Sequence, residues 1–171
     1  AKQFQIPSNV SAPISPLLAN LYMRRFVLGW KVLGHEQRLH AKIVNYADDF
    51  VICCHRGKGA AALATMRLMM ERLKLTVNAE KTHLCSLPEE TFDFLGFTHI
   101  CGKTRKGRFA LVRQTMRKRF RAKLREVKEA YRWRWHEPIP EVGKWLASIL
   151  RGHYNYYAVP LNYPALDAFH H

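Results

Sequence analysis

Apolar residues recur at three- and four-residue spacing from Leu17 to Val32, which predicts an amphipathic helix. Ser15-Pro16 opens it, because Ser accepts from unpaired helical N–H groups and Pro fits the first turn. Gly34 ends it, and residues 1–12 ahead of it read as polar and irregular. The period then shortens. Ala41–Tyr46 and Phe50–Cys54 are β-prone runs separated by Ala47-Asp48-Asp49, which predicts a hairpin with two carboxylates at or beside its turn. Gly57 and Gly59 mark a loop before Ala60–Leu73, a helix of strong formers. Asn78–Lys81 reads as a turn, Thr82–Leu87 as a short strand and Phe92–Phe97 as another. Gly102–Gly107 is a basic turn before Arg108–Val112, completing a second hairpin.

From Arg113 the period changes again. Met116, Phe120, Leu124, Val127 and Tyr131 form one apolar stripe on a helix reaching Trp135, whose other faces are nearly all Arg and Lys. Pro138 and Pro140 break it, and Val142, Trp145, Leu146 and Ile149 mark a second helix to about Tyr157. Asn162 is placed to cap a third, starting near Pro164. The pattern is α+β over residues 1–112 and all-helical over residues 113–171, with no internal repeat.

Charge sharpens that division. The 171 residues carry a net charge of +15. Between Cys101 and Trp135 stand 14 Lys and Arg against only Glu126 and Glu129, so most of the excess sits in one segment. A run this one-sided is specialised for a polyanion, and nucleic acid fits better than a membrane surface, which also needs an exposed apolar face. Apolar residues make up 48%, which excludes a wholly disordered chain. No apolar run reaches a membrane-spanning length, and the start lacks a signal-peptide pattern. Cys53, Cys54, Cys85 and Cys101 have no zinc-like spacing and are expected as buried, reduced thiols of a cytoplasmic protein.

Two adjacent Asp in an apolar stretch are costly if simply buried. A turn that carries Asp48 and Asp49 to a surface binding Mg²⁺ removes that cost, because Mg²⁺ prefers carboxylate oxygens and keeps positions for water and phosphate. An ordinary exposed Asp-Asp turn is the competing reading.

Tyr46-Ala47-Asp48-Asp49 followed by Phe50-Val51-Ile52 resembles the active-site signature of reverse transcriptases. Ile14-Ser15-Pro16-Leu17-Leu18-Ala19-Asn20-Leu21-Tyr22 resembles the palm helix of the group II intron-encoded members. Leu75–Thr82, with Asn78, Glu80, Lys81 and Thr82, is similar to the next family block, and Phe94-Leu95-Gly96-Phe97 to the primer-grip hairpin. Leu150–Tyr157, with Asn162 and Leu166 beyond, resembles the thumb or maturase region. The five blocks keep the family's order over nearly the whole chain from Ile14.

The resemblance implies an incomplete reverse-transcriptase palm, an antiparallel sheet with packed helices, followed by an all-helical thumb. It implies RNA-directed DNA polymerisation with two Mg²⁺ ions, or Mn²⁺ in their place, held by Asp48 and Asp49. Tyr46 and Ala47 would lie under the primer end and nucleotide, with Lys81 near the leaving pyrophosphate; a solvated turn lysine is the competing reading. Phe94, Leu95, Gly96 and Phe97 would hold the primer. Arg113, Arg117, Lys118, Arg119, Arg121, Lys123, Arg125, Arg132, Arg134 and Arg151 would track template–primer or intron RNA. The implied partners are intron RNA, an RNA template with its DNA primer, and deoxynucleoside triphosphates, in a bacterial-type cytoplasm.

The departures are specific. The family supplies a further metal-binding Asp upstream of the palm helix, whereas the one acid here before Asp48 is Glu36, behind that helix. The family's Pro-Gln-Gly turn is replaced by Asn9-Val10-Ser11-Ala12-Pro13, and the fingers are expected to be missing. Without a third carboxylate the metals lose alignment, so the isolated chain is expected not to polymerise usefully. A palm face bared in this way is also expected to favour homodimers. A non-catalytic RNA-binding module that assists splicing, and an inactive mobile-element remnant, are the alternatives. Trp133, Trp135, Tyr154 and Tyr157 stand open between base stacking and helix packing, while Trp145 and Tyr156 are expected to pack. His153 is expected at the surface beside Arg151, and His170-His171 reads as native sequence or the stump of a tag.

Overall fold

The computed structural model describes residues 15–104 and 106–170. The irregular start expected for residues 1–12, the match at Ile14, the capping side chain of Ser15 and the final His171 lie outside the described residues. The chain forms two compact units, Ala1–Leu84 and Cys85–His171.

In the first unit, α1 (Ser15–Val32) is followed by the short α2 (His35–Leu39), the hairpin β1 (Ala41–Tyr46) and β2 (Asp49–Cys54), and α3 (Gly59–Arg72). Met23, Phe26 and Trp30 fall at three- and four-residue spacing, so they share the buried face of α1. They pack with Leu39, Ala41 and, from α3, Ala62, Met66, Met69 and Met70. The buried Trp30 indole N–H donates to the Ala41 carbonyl at 2.9 Å, which satisfies a donor hidden from water. Gly34 takes a left-handed φ of 70° and turns the chain straight into α2, a helix the pattern did not predict. Beyond α3 the Asn78 side-chain oxygen accepts from the Glu80 and Lys81 N–H groups at 3.0 and 3.2 Å, the expected turn.

The strand expected over Thr82–Leu87 does not form. No strand among the described residues supplies it with a ladder, and the Ser86 N–H donates instead to the Glu90 carboxylate at 2.6 Å.

The second unit opens with a meander, β3 (Phe92–Phe94), β4 (Phe97–Lys103) and β5 (Phe109–Thr115), in the order β3-β4-β5. Phe92–Phe97, expected as one strand, is broken by a two-residue turn in which Leu95 and Gly96 have φ of 50° and 79°. Gly96 is required twice over: its φ suits glycine, and a Cβ there would lie 3.0 Å from the Tyr157 hydroxyl. Arg113–Thr115, expected to begin the basic helix, completes β5, because pairing continues to Phe97 opposite Thr115. The change of character at 112/113 therefore falls inside a strand.

Three helices follow: α4 (Arg117–Arg134), α5 (Ile139–Tyr157) and α6 (Tyr163–His170). Asn162 is wholly buried but its side chain does not cap α6. Its oxygen accepts from the Thr115 N–H at 2.9 Å, and its amide donates to the Thr115 hydroxyl and the Tyr157 carbonyl, each at 2.8 Å. One side chain thus ties the end of β5 to the end of α5. His153, expected at the surface, is buried and stacks on Phe169 at 3.8 Å between centroids. The predicted apolar stripe of α4 is only half covered, since no α4 residue is fully buried and Leu124 and Tyr131 remain exposed.

Candidate functional site

The hairpin pairs Tyr46 with Asp49, so Ala47 and Asp48 alone form its turn. Strand alternation turns Ile43, Phe50, Ile52 and Cys54 onto the hydrophobic core. The opposite face carries Lys42, Val44, Tyr46, Asp49, Val51 and Cys53. Asp48 sits at the tip and Asp49 beside Tyr46 on the open face, and both carboxylates are exposed. Neither forms a salt bridge or side-chain hydrogen bond with a described residue. Ala47 is left-handed at φ 52°, a conformation that costs a non-glycine residue about 1 kcal/mol and recurs at functional turns. The exposed Tyr46 ring, two-thirds open to solvent, borders the carboxylates.

A shallow cleft of about 260 Å³ in the same unit is lined by Asn20, Met23, Arg24, Val27, Leu28 and Asn45. Two separate sequence blocks therefore meet in space: Asn20 belongs to the Ser15–Tyr22 segment and Asn45 immediately precedes Tyr46. Lys81 is exposed in its turn, and its ammonium is engaged by no described carboxylate.

Phe94, Leu95, Gly96 and Phe97 lie in the second unit, at the β3–β4 turn. They are not a free edge. Tyr156 donates its hydroxyl to the Leu95 carbonyl at 2.8 Å and stacks on buried Phe97, while Tyr157 meets Phe97 edge-on. Tyr156, expected to pack helices with its polar tip outward, is instead half exposed with its hydroxyl turned onto the β3–β4 turn, and half-buried Trp145 lies under the Arg134 guanidinium at 5.2 Å.

The predicted cations divide by use. Arg117, Lys118, Arg119, Arg121, Arg125 and Arg132 are exposed on α4, and Arg151 is exposed on α5. Lys123 is paired with Glu126 at 2.7 Å and Arg134 with Glu137 at 2.9 Å, so both are partly neutralised locally. Arg113 lies on β5 opposite His99, away from the helix on which it was expected. Lys128, not among the predicted residues, completes a stripe with Arg117, Arg121, Arg125 and Arg132 at the spacing of one helix face. Continuing the helical spacing past Arg125 would have found it. Arg119 and Lys123 line a cleft of about 500 Å³ between α4 and α5, together with Phe120, His153, Tyr156 and Tyr157.

Burial lowers the pKa of His153, and the nearby Lys123 lowers it further. Burial also lowers His99, outweighing the backbone carbonyls that favour its charged form. None of the four cysteines is buried, contrary to expectation; all are free, and Cys53 is exposed because it points off the open face of the hairpin.

A family model described as reverse transcriptase (RNA-dependent DNA polymerase) matches residues 12–99, half of the chain. The chain belongs to the reverse transcriptase family. No curated protein matches it. The match covers α1, the Asp48-Asp49 hairpin, α3 and the β3–β4 turn, so the paired carboxylates lie within the family segment. Membership brings nucleic acid as the ligand class. No described helix is long and apolar enough to cross a membrane.

Reverse transcriptases work with divalent metal, and the donor set can be tested against that. Two exposed, adjacent carboxylates suit a hydrated Mg²⁺ held on one side. They do not suit a closed two-ion centre: among the described residues no group of three or more His, Cys, Asp or Glu is placed to hold a metal ion.

Proposed function

We propose that the chain is the palm and thumb part of a group II intron-encoded reverse transcriptase, with residues 1–112 as palm and 113–171 as thumb and maturase region. It binds intron RNA or an RNA template with its primer and does not polymerise on its own. The observation that carries this reading is the two-residue turn presenting Asp48 and Asp49 exposed and without an ion pair to any described residue, within the segment that matches the family. In this reading Asp48 and Asp49 are the metal-facing carboxylates. Tyr46 and Ala47 support the primer end, and Lys81 serves the leaving group. Phe94, Leu95, Gly96 and Phe97 support the primer strand from a turn braced by Tyr156. The incomplete carboxylate set underlies the predicted inactivity, because two ions held by one turn lack fixed geometry.

The test is primer extension by the purified chain on an RNA template with Mg²⁺ or Mn²⁺ and deoxynucleoside triphosphates. The expected result is no extension above background. Extension that Asp48→Asn abolishes would overturn the predicted inactivity while upholding the assignment of the carboxylate.

A second reading, a non-catalytic module that assists splicing, is favoured by the exposed stripe on α4, whose cations need no contribution from Asp48. It predicts RNA binding that survives Asp48→Ala and collapses when Arg117, Lys118, Arg119 and Arg121 are neutralised together. Affinity should fall by roughly 0.7–0.9 log units per log unit of salt for each phosphate contacted.

A further inference from the structure

The stripe Arg117, Arg121, Arg125, Lys128 and Arg132 runs about 22 Å along α4, at 1.5 Å per residue. Its residues follow one another at four- and three-residue steps, and all five are exposed. The next position on the same line is Trp135. Its backbone stays in the right-handed helical region, with φ −65° and ψ −17°, so it extends the line instead of leaving it. The Trp135 side chain is 68% exposed, although an indole normally seeks cover. It is nevertheless held: its N–H donates to the His136 ring nitrogen at 3.0 Å. Next to it, Arg134 is tied to Glu137 and lies over Trp145, which stiffens the base on which Trp135 stands. A fixed, solvent-facing aromatic plane at the end of a row of cations combines the two parts of a site for unpaired nucleotides: charge for the phosphates and a face for a base.

We infer that Trp135 stacks on an unpaired base of the nucleic acid whose phosphates the α4 stripe holds, so that the chain favours RNA in which a duplex gives way to a single strand. This rests on the nucleic-acid reading above and deepens it. Charge complementarity selects the occupant, because the segment from Cys101 to Trp135 holds 14 cations and two acids. Trp133 supplies a built-in control. It is more exposed, at 87%, but sits two positions earlier and therefore about 160° around the helix from Trp135, off the basic line.

The experiment compares binding of a blunt RNA duplex with the same duplex bearing a short single-stranded overhang, by fluorescence anisotropy at fixed salt. The wild-type chain should prefer the overhang by about fivefold or more, the scale of one stacked base. Trp135→Ala should remove that preference and leave duplex affinity within about twofold, Trp135→Phe should restore most of it, and Trp133→Ala should leave it intact. Circular dichroism checks that each variant keeps its helices.

An unchanged preference in Trp135→Ala overturns the inference, and so does an equal loss in Trp133→Ala, which would make the effect general stickiness. Two other occupants are read in parallel. Self-association in sedimentation that Trp135→Ala abolishes would assign the indole to a second copy and overturn the inference. Binding to phosphatidylserine vesicles that depends on Trp135, with RNA preference unmoved, would assign it to a membrane surface and overturn it too. A chain that binds neither RNA overturns the nucleic-acid reading as well. Duplex binding lost on neutralising the stripe but indifferent to Trp135 would uphold that reading and sink this inference alone.

Discussion

In the first unit the most deeply buried large side chains are Trp30 and Phe26; in the second it is Asn162. The first core is otherwise methionine, leucine and alanine, an apolar cluster without directional demands. In the second, the buried set is Phe97 and Phe169 together with His99, Thr115, His153 and Asn162, so most of its members need a hydrogen bond or a particular protonation state. The contrast follows from what the helices are made of. α1 and α3 give one face to the interior, and the hairpin rests on it with its carboxylates exposed. α4 gives no residue wholly to the interior, and nine of its fourteen positions outside a half-covered stripe are cations. A helix so rich in cations contributes little burial, and polar groups stand at the centre of its unit.

The largest expected effect breaks the apolar half of this comparison. Trp30→Ala removes the fully buried indole and its bond to the Ala41 carbonyl, which should destabilise the first unit by about 3–5 kcal/mol. Amide hydrogen exchange should show protection lost across α1, β1, β2 and α3 while β4, β5 and α5 keep theirs. Equal loss in both units would mean that they do not differ in the way described. Asn162→Ala attacks the polar half. It leaves the buried Thr115 N–H without its acceptor and unties β5 from α5, for an expected cost of about 1–3 kcal/mol. Faster exchange should concentrate at the end of β5 and in α6; a loss of protection confined to the first unit would contradict the assignment.

The same contrast explains what the sequence could and could not reveal. The first unit was legible because its elements follow the two simple periods. Met23, Phe26 and Trp30 recur as a helix face should, Ile43, Phe50 and Ile52 alternate as strands should, and the paired runs leave room for only a tight turn at Ala47-Asp48. The second unit was less legible because specific polar contacts decide it. Periodicity cannot show that Leu95-Gly96 folds back under the Tyr156 hydroxyl, nor that Asn162 turns away from its helix toward Thr115, 47 residues earlier. His153 was misplaced because histidine beside arginine resembles a surface, whereas Phe169 supplies the stack that buries it. Of the site, the carboxylate turn and the basic helix were readable as motifs. The stripe ending at Trp135 was within reach of the helical spacing but was not picked out, whereas Arg113 needed the strand pairing to be seen.

The smallest expected effect is the most selective. His153 is held below the ordinary histidine pKa of 6.5 by burial and then by Lys123, and His99 is lowered chiefly by burial. Below pH 6.5 the unfolded chain therefore binds more protons than the folded one, so folding stability rises with pH through the window beneath 6.5. That contribution is complete above 6.5 and is lost as the pH falls from there toward the lowered folded values. In the first unit His35 is also lowered, by burial and then by Arg38, but it is only half-buried, so solvent should weaken its slope. Hydrogen exchange followed from neutral to mildly acidic pH should thus show β4, β5 and α5 losing protection, relative to the intrinsic exchange rate, more steeply than α1 and α3. His153→Phe keeps a ring against Phe169 and removes the titrating group, so it should flatten the second unit's slope and leave the residue due to His99. An unchanged slope in that variant would show that the ring is buried without any proton cost, and the polar character assigned to this core would then rest on Asn162 and Thr115 alone.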